Sequence, residues 1–263
     1  MPDRPWLQEY PAEVPPTCAY PNRNVAHFLT DSALKHPKGI ALDFLGKRMS
    51  YRALLAAARR FANVLPKLGI RRGDRVAIML PNCPQAVIAY YGSLMAGAVV
   101  VMTNPLYMPR ELEHQMKDSG ARLIVALDQL LGRVRGATEK SSLEKIIVTS
   151  IQDYLPFPKN ILFALKQKKD GKAVRIVYDD KVLSFRKLLK EASDDPADVD
   201  VDAENDLALI QYTGGTTGLA KGVMLTHRNL IANTVQCRAW CYKTEEAKER
   251  YMAALPFFHV FGL

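Results

Sequence analysis

Glycine, threonine and lysine are concentrated in one stretch of this chain, QYTGGTTGLAKG at Gln211–Gly222. Gly214, Gly215 and Gly218 let the backbone approach an anion with no side chain in the way, and successive exposed N–H groups form a nest for anionic oxygens. Thr213, Thr216 and Thr217 add hydroxyl donors, and Lys221 adds a mobile ammonium suited to phosphate. Together these residues are candidates for gripping a polyphosphate or its pyrophosphate product. The spacing differs from two common phosphate loops. In G-x-x-x-x-G-K-[ST] the lysine follows the last glycine directly, whereas here Leu219 and Ala220 intervene and Gly222 takes the hydroxyl position. Nor is G-x-G-x-x-G present in this stretch, so the loop gives no support to a dinucleotide fold.

Such a loop needs elements to hold it. Leu207–Tyr212 is a short apolar run that reads as a buried strand feeding the loop, and Val223–Leu225 follows it. Thr226 then caps a helix running through Asn229, Leu230, Ile231 and Val235, and His227 helps to begin that helix. Upstream, strands and helices alternate. Ile40–Leu45 reads as a strand, and Ser50 caps a helix with apolar positions at Leu54, Leu55, Ala58, Phe61, Ala62 and Leu65, closed by Lys67-Leu68-Gly69. Pro109 opens another helix that ends near Gly120, and short strands follow at Leu123–Ala126 and Ile146–Val148. This rhythm predicts an α/β fold of layered, mostly parallel sheet with helices on both faces. Two segments break it: Asp153–Lys172, which mixes aromatic and aliphatic residues with lysines, and the acidic Ser193–Asp206. The chain divides on this reading into a front portion (1–192), an acidic connection (193–206) and a loop-bearing portion (207–263).

Bulk properties narrow the function. A length of 263 residues, 48% hydrophobic and 24% charged, suits a globular core. The net charge of +9 is spread along the chain without a nucleic-acid recognition motif, so anionic small molecules or lipid are the expected partners and nucleic acid is not. Cys18, Cys83, Cys237 and Cys241 make no CxxC pair, and the N-terminal MPDRPWLQEYPAEVPP lacks the apolar run of a secretory signal. A reducing, cytoplasmic setting is expected. Val76–Pro109 carries no charge and is long enough to span a bilayer, but VAIML, the turn at Pro81-Asn82, the helix opened by Pro84 and AVVVM read as a buried strand–helix–strand unit.

YTGGTTGLAKGVMLTHRN (Tyr212–Asn229) resembles the phosphate-binding signature of the adenylate-forming enzymes, in the version of the long-chain fatty-acid–CoA ligases. LPNCPQAVIAYYGSLMAGAVVVMTNPLY (Leu80–Tyr107), ENDLALIQY before the loop and LPFFHVFGL (Leu255–Leu263) are similar to segments of bacterial acyl-CoA synthetases, in the same order. The resemblance implies ATP, Mg²⁺ and coenzyme A as co-reactants, with a fatty acid as the carboxylate. It implies Lys221 and His259 as catalytic residues, Tyr212, Thr213, Gly214, Gly215, Thr216, Thr217, Gly218, Lys221 and Gly222 as nucleotide contacts, and Thr213 as a magnesium contact. His259 in PFFHVFG would lie beside the acyl and adenylate pocket, whereas His27, His36 and His114 read as surface residues.

Family members run to roughly twice this length, so the resemblance also implies an N-terminal part of such a ligase, ending at Leu263 before the family's later acidic magnesium ligand and its C-terminal lysine, and inactive alone. Competing readings are a ligase for an aryl or medium-chain acid and a non-catalytic nucleotide- or acyl-binding module. Finally, the lysines and apolar residues of Tyr154–Lys172 suggest peripheral docking on the anionic inner face of a membrane.

Overall fold

In the computed structural model, which describes residues 4–139, 141–196, 199–214, 219–259 and 261–262, the first regular helix is α1 (His27–Lys35). A hairpin of β1 (Ile40–Phe44) and β2 (Lys47–Ser50) follows, antiparallel and separate from the main sheet. The expected strand at Ile40–Leu45 therefore exists but does not join the parallel layer. Leu45 and Gly46 both take positive φ and turn the chain back within two residues. Ser50 then caps α2 (Tyr51–Val64), its hydroxyl accepting from the Ala53 N–H at 3.2 Å. Leu54, Leu55, Ala58, Phe61 and Ala62 are buried, as their spacing requires. Pro66 ends the α-helical ladder, and a 3-10 turn carries the chain to Gly69 at φ 80°.

The sheet begins with β3 (Arg75–Met79), followed by α3 (Pro84–Met95) and β4 (Val99–Met102). This is the uncharged segment, and its α3 is buried nearly all round, which explains its lack of charged residues without a membrane. Among the described residues no helix is long and apolar enough to cross a membrane. Next come α4 (Pro109–Ser119), stopped by Gly120 at φ 64°, β5 (Ala121–Leu127), α5 (Leu131–Thr138) and β6 (Lys145–Thr149). Asp153–Lys172 contains α6 (Lys159–Lys169), a helix with no buried residue. It is followed by β7 (Val182–Ser184) and α7 (Phe185–Glu191), which anchors itself through buried Phe185 and Leu189. The acidic connection runs over the body, tied by the Val199 N–H to the Met95 carbonyl at 3.0 Å and by fully buried Ala203. The chain then makes β8 (Leu207–Thr213), β9 (Lys221–Thr226) and α8 (His227–Trp240). Thr226 caps α8 by accepting from the Asn229 N–H at 3.3 Å.

Strand order is β7-β6-β5-β3-β4-β8-β9, all neighbours parallel except the β8–β9 hairpin. Two apolar layers cover its faces. Val76, Ile78, Val100, Leu123 and Leu209 pack with α1, α2, α3 and α7 on one side. Ala77, Met79, Val101, Ile124, Ile210 and Tyr212 pack with α4 and α5 on the other. Helices on both faces of a mostly parallel sheet are the expected α/β arrangement. Because six strands run the same way, their amino ends share one edge of the molecule and their carboxyl ends another.

Candidate active site

The pairing of Val101 with Ile210 and Met102 with Gln211 brings Asn104 and Thr213 out side by side at the carboxyl edge. In open α/β sheets this edge is where ligands bind. A cavity of 390 Å³ opens there, lined by Asn104, Tyr107, Gln211, Thr213, Gly214 and His259 among others. Leu209 and Gln211 share the face away from α4, by the period-2 alternation that sends Ile210 and Tyr212 toward it. Gln211 is 3% exposed. Its Nε2 donates to the Phe258 carbonyl at 3.0 Å, but its Oε1 has no hydrogen-bond partner. Leaving a buried amide oxygen unpaired costs about 1–3 kcal/mol. A donor on a bound ligand would relieve that cost.

The loop candidates divide into those that face the opening and those that build it. Thr213 and Lys221 are directly paired across the hairpin, so their side chains share one face at the mouth, where both are exposed. Gly214 has open space where a side chain would stand, with nothing within 4 Å of a built Cβ. Gly215, Thr216, Thr217 and Gly218 lie outside the described residues. Gly222 has a packing role of its own: it sits opposite Tyr212, and a Cβ there would meet Ile210 Cγ2 at 2.8 Å and the Tyr212 ring at 3.1 Å. Tyr212 is buried, and its hydroxyl donates to Asp118 Oδ2 at 2.5 Å. Burial first, and then the Asp118 carboxylate, push its phenol well above the ordinary tyrosine range.

His259 is exposed and lines the cavity, with its Nδ1 accepting from the Phe261 N–H at 3.3 Å. Its segment is fixed from the turn between β3 and α3. Asn82 Nδ2 donates to the Ala253 and Leu255 carbonyls at 2.8 and 2.7 Å, and Asn82 Oδ1 accepts from the Phe257 N–H at 2.8 Å. A second cavity, of 210 Å³, adjoins the first through their shared wall residue Met102. It is lined by Leu42, Val87, Tyr90, Tyr91 and Phe257 and is mostly apolar.

His114 departs from the surface reading. It is half-buried on α4, and its Nε2 lies 3.1 Å from the Ala220 carbonyl, which makes the imidazole the donor. His36 meets Glu246 at 3.2 Å on the surface, and His27 contacts the Asn24 carbonyl. His227, the first residue of α8, is buried, with Nδ1 accepting from the Val25 N–H at 3.2 Å. Gln211, Asn82, Asp118 and His114 were not among the residues expected from sequence. The one local signal was a glutamine inside an otherwise apolar strand.

For a magnesium ion the fit is partial. Among the described residues no group of three or more His, Cys, Asp or Glu side chains could hold a metal. The Thr213 hydroxyl at the mouth suits an ion that keeps phosphate oxygens and water as most of its ligands.

A family model described as AMP-binding enzyme matches residues 29–263. A long-chain-fatty-acid–CoA ligase of Bacillus subtilis is 45% identical over 99% of this chain and 46% of its own length. Among solved structures, a long-chain-fatty-acid-CoA ligase from Archaeoglobus fulgidus superposes with a TM-score of 0.72 at 27% identity, over 94% of this chain and 45% of that one. ATP-bound MatB from Rhodopseudomonas palustris gives 0.73 at 27% identity, over 92% and 42%. The chain spans about half the length of the curated relatives it matches.

Proposed function

The chain belongs to the AMP-binding enzyme family, and from that premise we propose that it supplies the pyrophosphate-gripping and acyl-facing part of an ATP-dependent long-chain fatty-acid–CoA ligase. The observation that supports this reading is Thr213 and Gly214 lining a cavity, with Lys221 paired to Thr213 and an unpaired buried Gln211 oxygen in its wall, beside a second, apolar cavity. A polar chamber next to an apolar one suits a reaction that joins a nucleotide to a hydrocarbon acid.

A carboxylate is a poor electrophile because its charge is delocalised and oxide is a poor leaving group. A carboxylate oxygen attacks the α-phosphorus of ATP, the bond to the β-phosphate oxygen breaks, and pyrophosphate leaves with the electron pair. The thiolate of coenzyme A then attacks the acyl carbon, and AMP departs. Charge accumulates on the leaving pyrophosphate in the first step. On this reading the exposed Lys221 ammonium receives it, a prearranged stabilisation in which one such donor is worth roughly 100-fold in rate. Thr213 would hold the Mg²⁺ carried on the phosphates, which neutralises their charge. His259, which lines the 390 Å³ cavity, would orient the acyl carboxylate on this reading. The setting proposed is cytoplasmic.

The test is a chimera in which residues 1–263 replace the matching stretch of the Bacillus subtilis relative. Fatty-acid-dependent exchange of pyrophosphate into ATP is expected, falling about 100-fold in Lys221→Ala. A folded chimera that binds ATP but shows no exchange with hexadecanoate would sink the reading.

A second reading concerns α6. Ile161, Leu162 and Leu165 are 50%, 58% and 59% exposed, and Lys166, Lys168 and Lys169 crowd its last turn. An apolar face bordered by lysines suits the surface of an anionic bilayer, where long-chain acids partition. Cosedimentation with anionic vesicles should fall when Lys166→Glu and Lys168→Glu are combined. Equal sedimentation of both proteins would dismiss membrane docking by this helix.

A further inference from the structure

Both stems of the loop are held by one face of one helix. His114 and Asp118 are four residues apart on α4, so they stack one turn above the other on the same side. Asp118 receives the Tyr212 hydroxyl at 2.5 Å, and His114 donates to the Ala220 carbonyl at 3.1 Å. Tyr212 is the residue before the last pair of the hairpin ladder, and Ala220 is the first residue beyond that ladder, which closes at Thr213 and Lys221. The two bonds therefore fasten the chain on its way into the loop and on its way out. Between them α4 and the hairpin enclose a 180 Å³ cavity, with His114, Gln115, Tyr212 and Ala220 in its walls.

Both of these bonds come from the α4 side of the hairpin. Tyr212 points into the layer shared with α4, whereas Gln211, one residue earlier, turns to the opposite layer and to the 390 Å³ cavity with its unpaired oxygen. Hairpins of this length otherwise rely on their ladder, and here the ladder stops at the base of the loop. Gly222 completes the arrangement, because any side chain there would displace the Tyr212 ring that carries the bond to Asp118.

We infer that α4 is the positioning element of the phosphate loop: Asp118, through Tyr212, and His114, through Ala220, clamp its two stems so that Thr213 and Lys221 are set before an anion arrives. Neither residue need touch the ligand. Both are positioning residues. The expected partner of the clamped loop is the polyphosphate of a nucleotide, and to that extent the inference rests on the function proposed above.

The test separates the clamp from that function. Amide hydrogen exchange of the 263-residue chain is measured alongside calorimetric titration with ATP and Mg²⁺, in Tyr212→Phe, Asp118→Asn, His114→Ala and His114→Gln, with urea unfolding as a check on global stability. Exchange in residues 213–222 is expected to rise about tenfold in Tyr212→Phe and His114→Ala, the effect of losing one modest hydrogen bond. His114→Gln, which keeps an N–H donor, is expected to restore much of the protection. ATP affinity should fall in parallel with that loss. If the wild-type chain bound no ATP while loop exchange still rose, the clamp would stand and the nucleotide reading would fall. Unchanged loop exchange in both Tyr212→Phe and His114→Ala would overturn the clamp, and so would a rise spread evenly over the whole sheet.

Discussion

The two edges of the sheet are built on opposite principles. At the amino edge, polar groups are paired with one another. Arg122 on β5 donates to Asp74 at 2.6 Å, to both oxygens of Glu144 at 2.9 and 2.8 Å, and to the Gly69 carbonyl at 2.9 Å. That ties together the chain entering β3, β5 and β6. Hydrogen bonds to Glu144 and Asp74 hold the Arg122 guanidinium far above its ordinary range, and the bond from Arg122 holds the Glu144 carboxyl below its own. Arg72 reaches Asp206 at 2.5 Å, just ahead of β8. At the carboxyl edge the Gln211 oxygen is unpaired, and Lys221 and His259 are exposed. One edge is spent on holding the sheet together, and the other keeps its polar groups available. Substitutions at the first should change stability and spare binding, and those at the second should do the reverse.

The largest effect on this contrast is expected from acid. His227, beside the start of β8, has its pKa pushed down to about 4 from an ordinary 6.5 by burial, opposed in part by the charge of Asp206. The unfolded chain takes up the proton at the higher value and the folded chain only at the lower. Stability from this residue is therefore complete above pH 6.5 and lost as pH falls toward 4, by up to about 3 kcal/mol. Urea midpoints measured across that window should decline, and His227→Asn should flatten that part of the curve. Next, Arg122→Met should lower stability by about 2 kcal/mol, restrained by the solvent exposure of Glu144, while ATP affinity by calorimetry stays within twofold. The smallest stability change is expected at the open edge. Gln211→Met loses its bonds to the Phe258 and Tyr212 carbonyls but also removes the orphaned oxygen, so stability should shift by less than about 0.5 kcal/mol while ATP affinity drops about tenfold. Loss of stability without loss of affinity in Gln211→Met would reverse the comparison.

Local signals carried most of the fold. The capping hydroxyls of Ser50 and Thr226, the helical spacing of Leu54 through Ala62 and the uncharged β3–α3–β4 run each report on contacts within a few residues. Elements missed had weak local signals: α5 contains two glycines, β7 is three residues long, and β2 needed the turn at Leu45-Gly46 to be recognised. The site divides the same way. Thr213, Gly214 and Lys221 were legible because a phosphate loop is contiguous in sequence. Asn82 was not, because its partners lie at Ala253, Leu255 and Phe257, and Asp118 was not, because its partner is Tyr212. A side chain whose meaning depends on a residue that distant has no pattern around it to read.

The strand order has a consequence in time. β8 pairs with β4, and Val100 meets Leu209 only after about a hundred further residues have been made, including all of β5, β6 and β7. At the ribosome, where synthesis adds roughly 5–20 residues per second, β3, β4 and β5 can assemble from near neighbours while the outer side of β4 waits several seconds for its partner. Closing so long a span is entropically unfavourable and slow to nucleate. The hairpin bearing the loop is then among the last parts of the sheet to dock, and β4, with its run of valines, is the edge most in need of protection on the nascent chain.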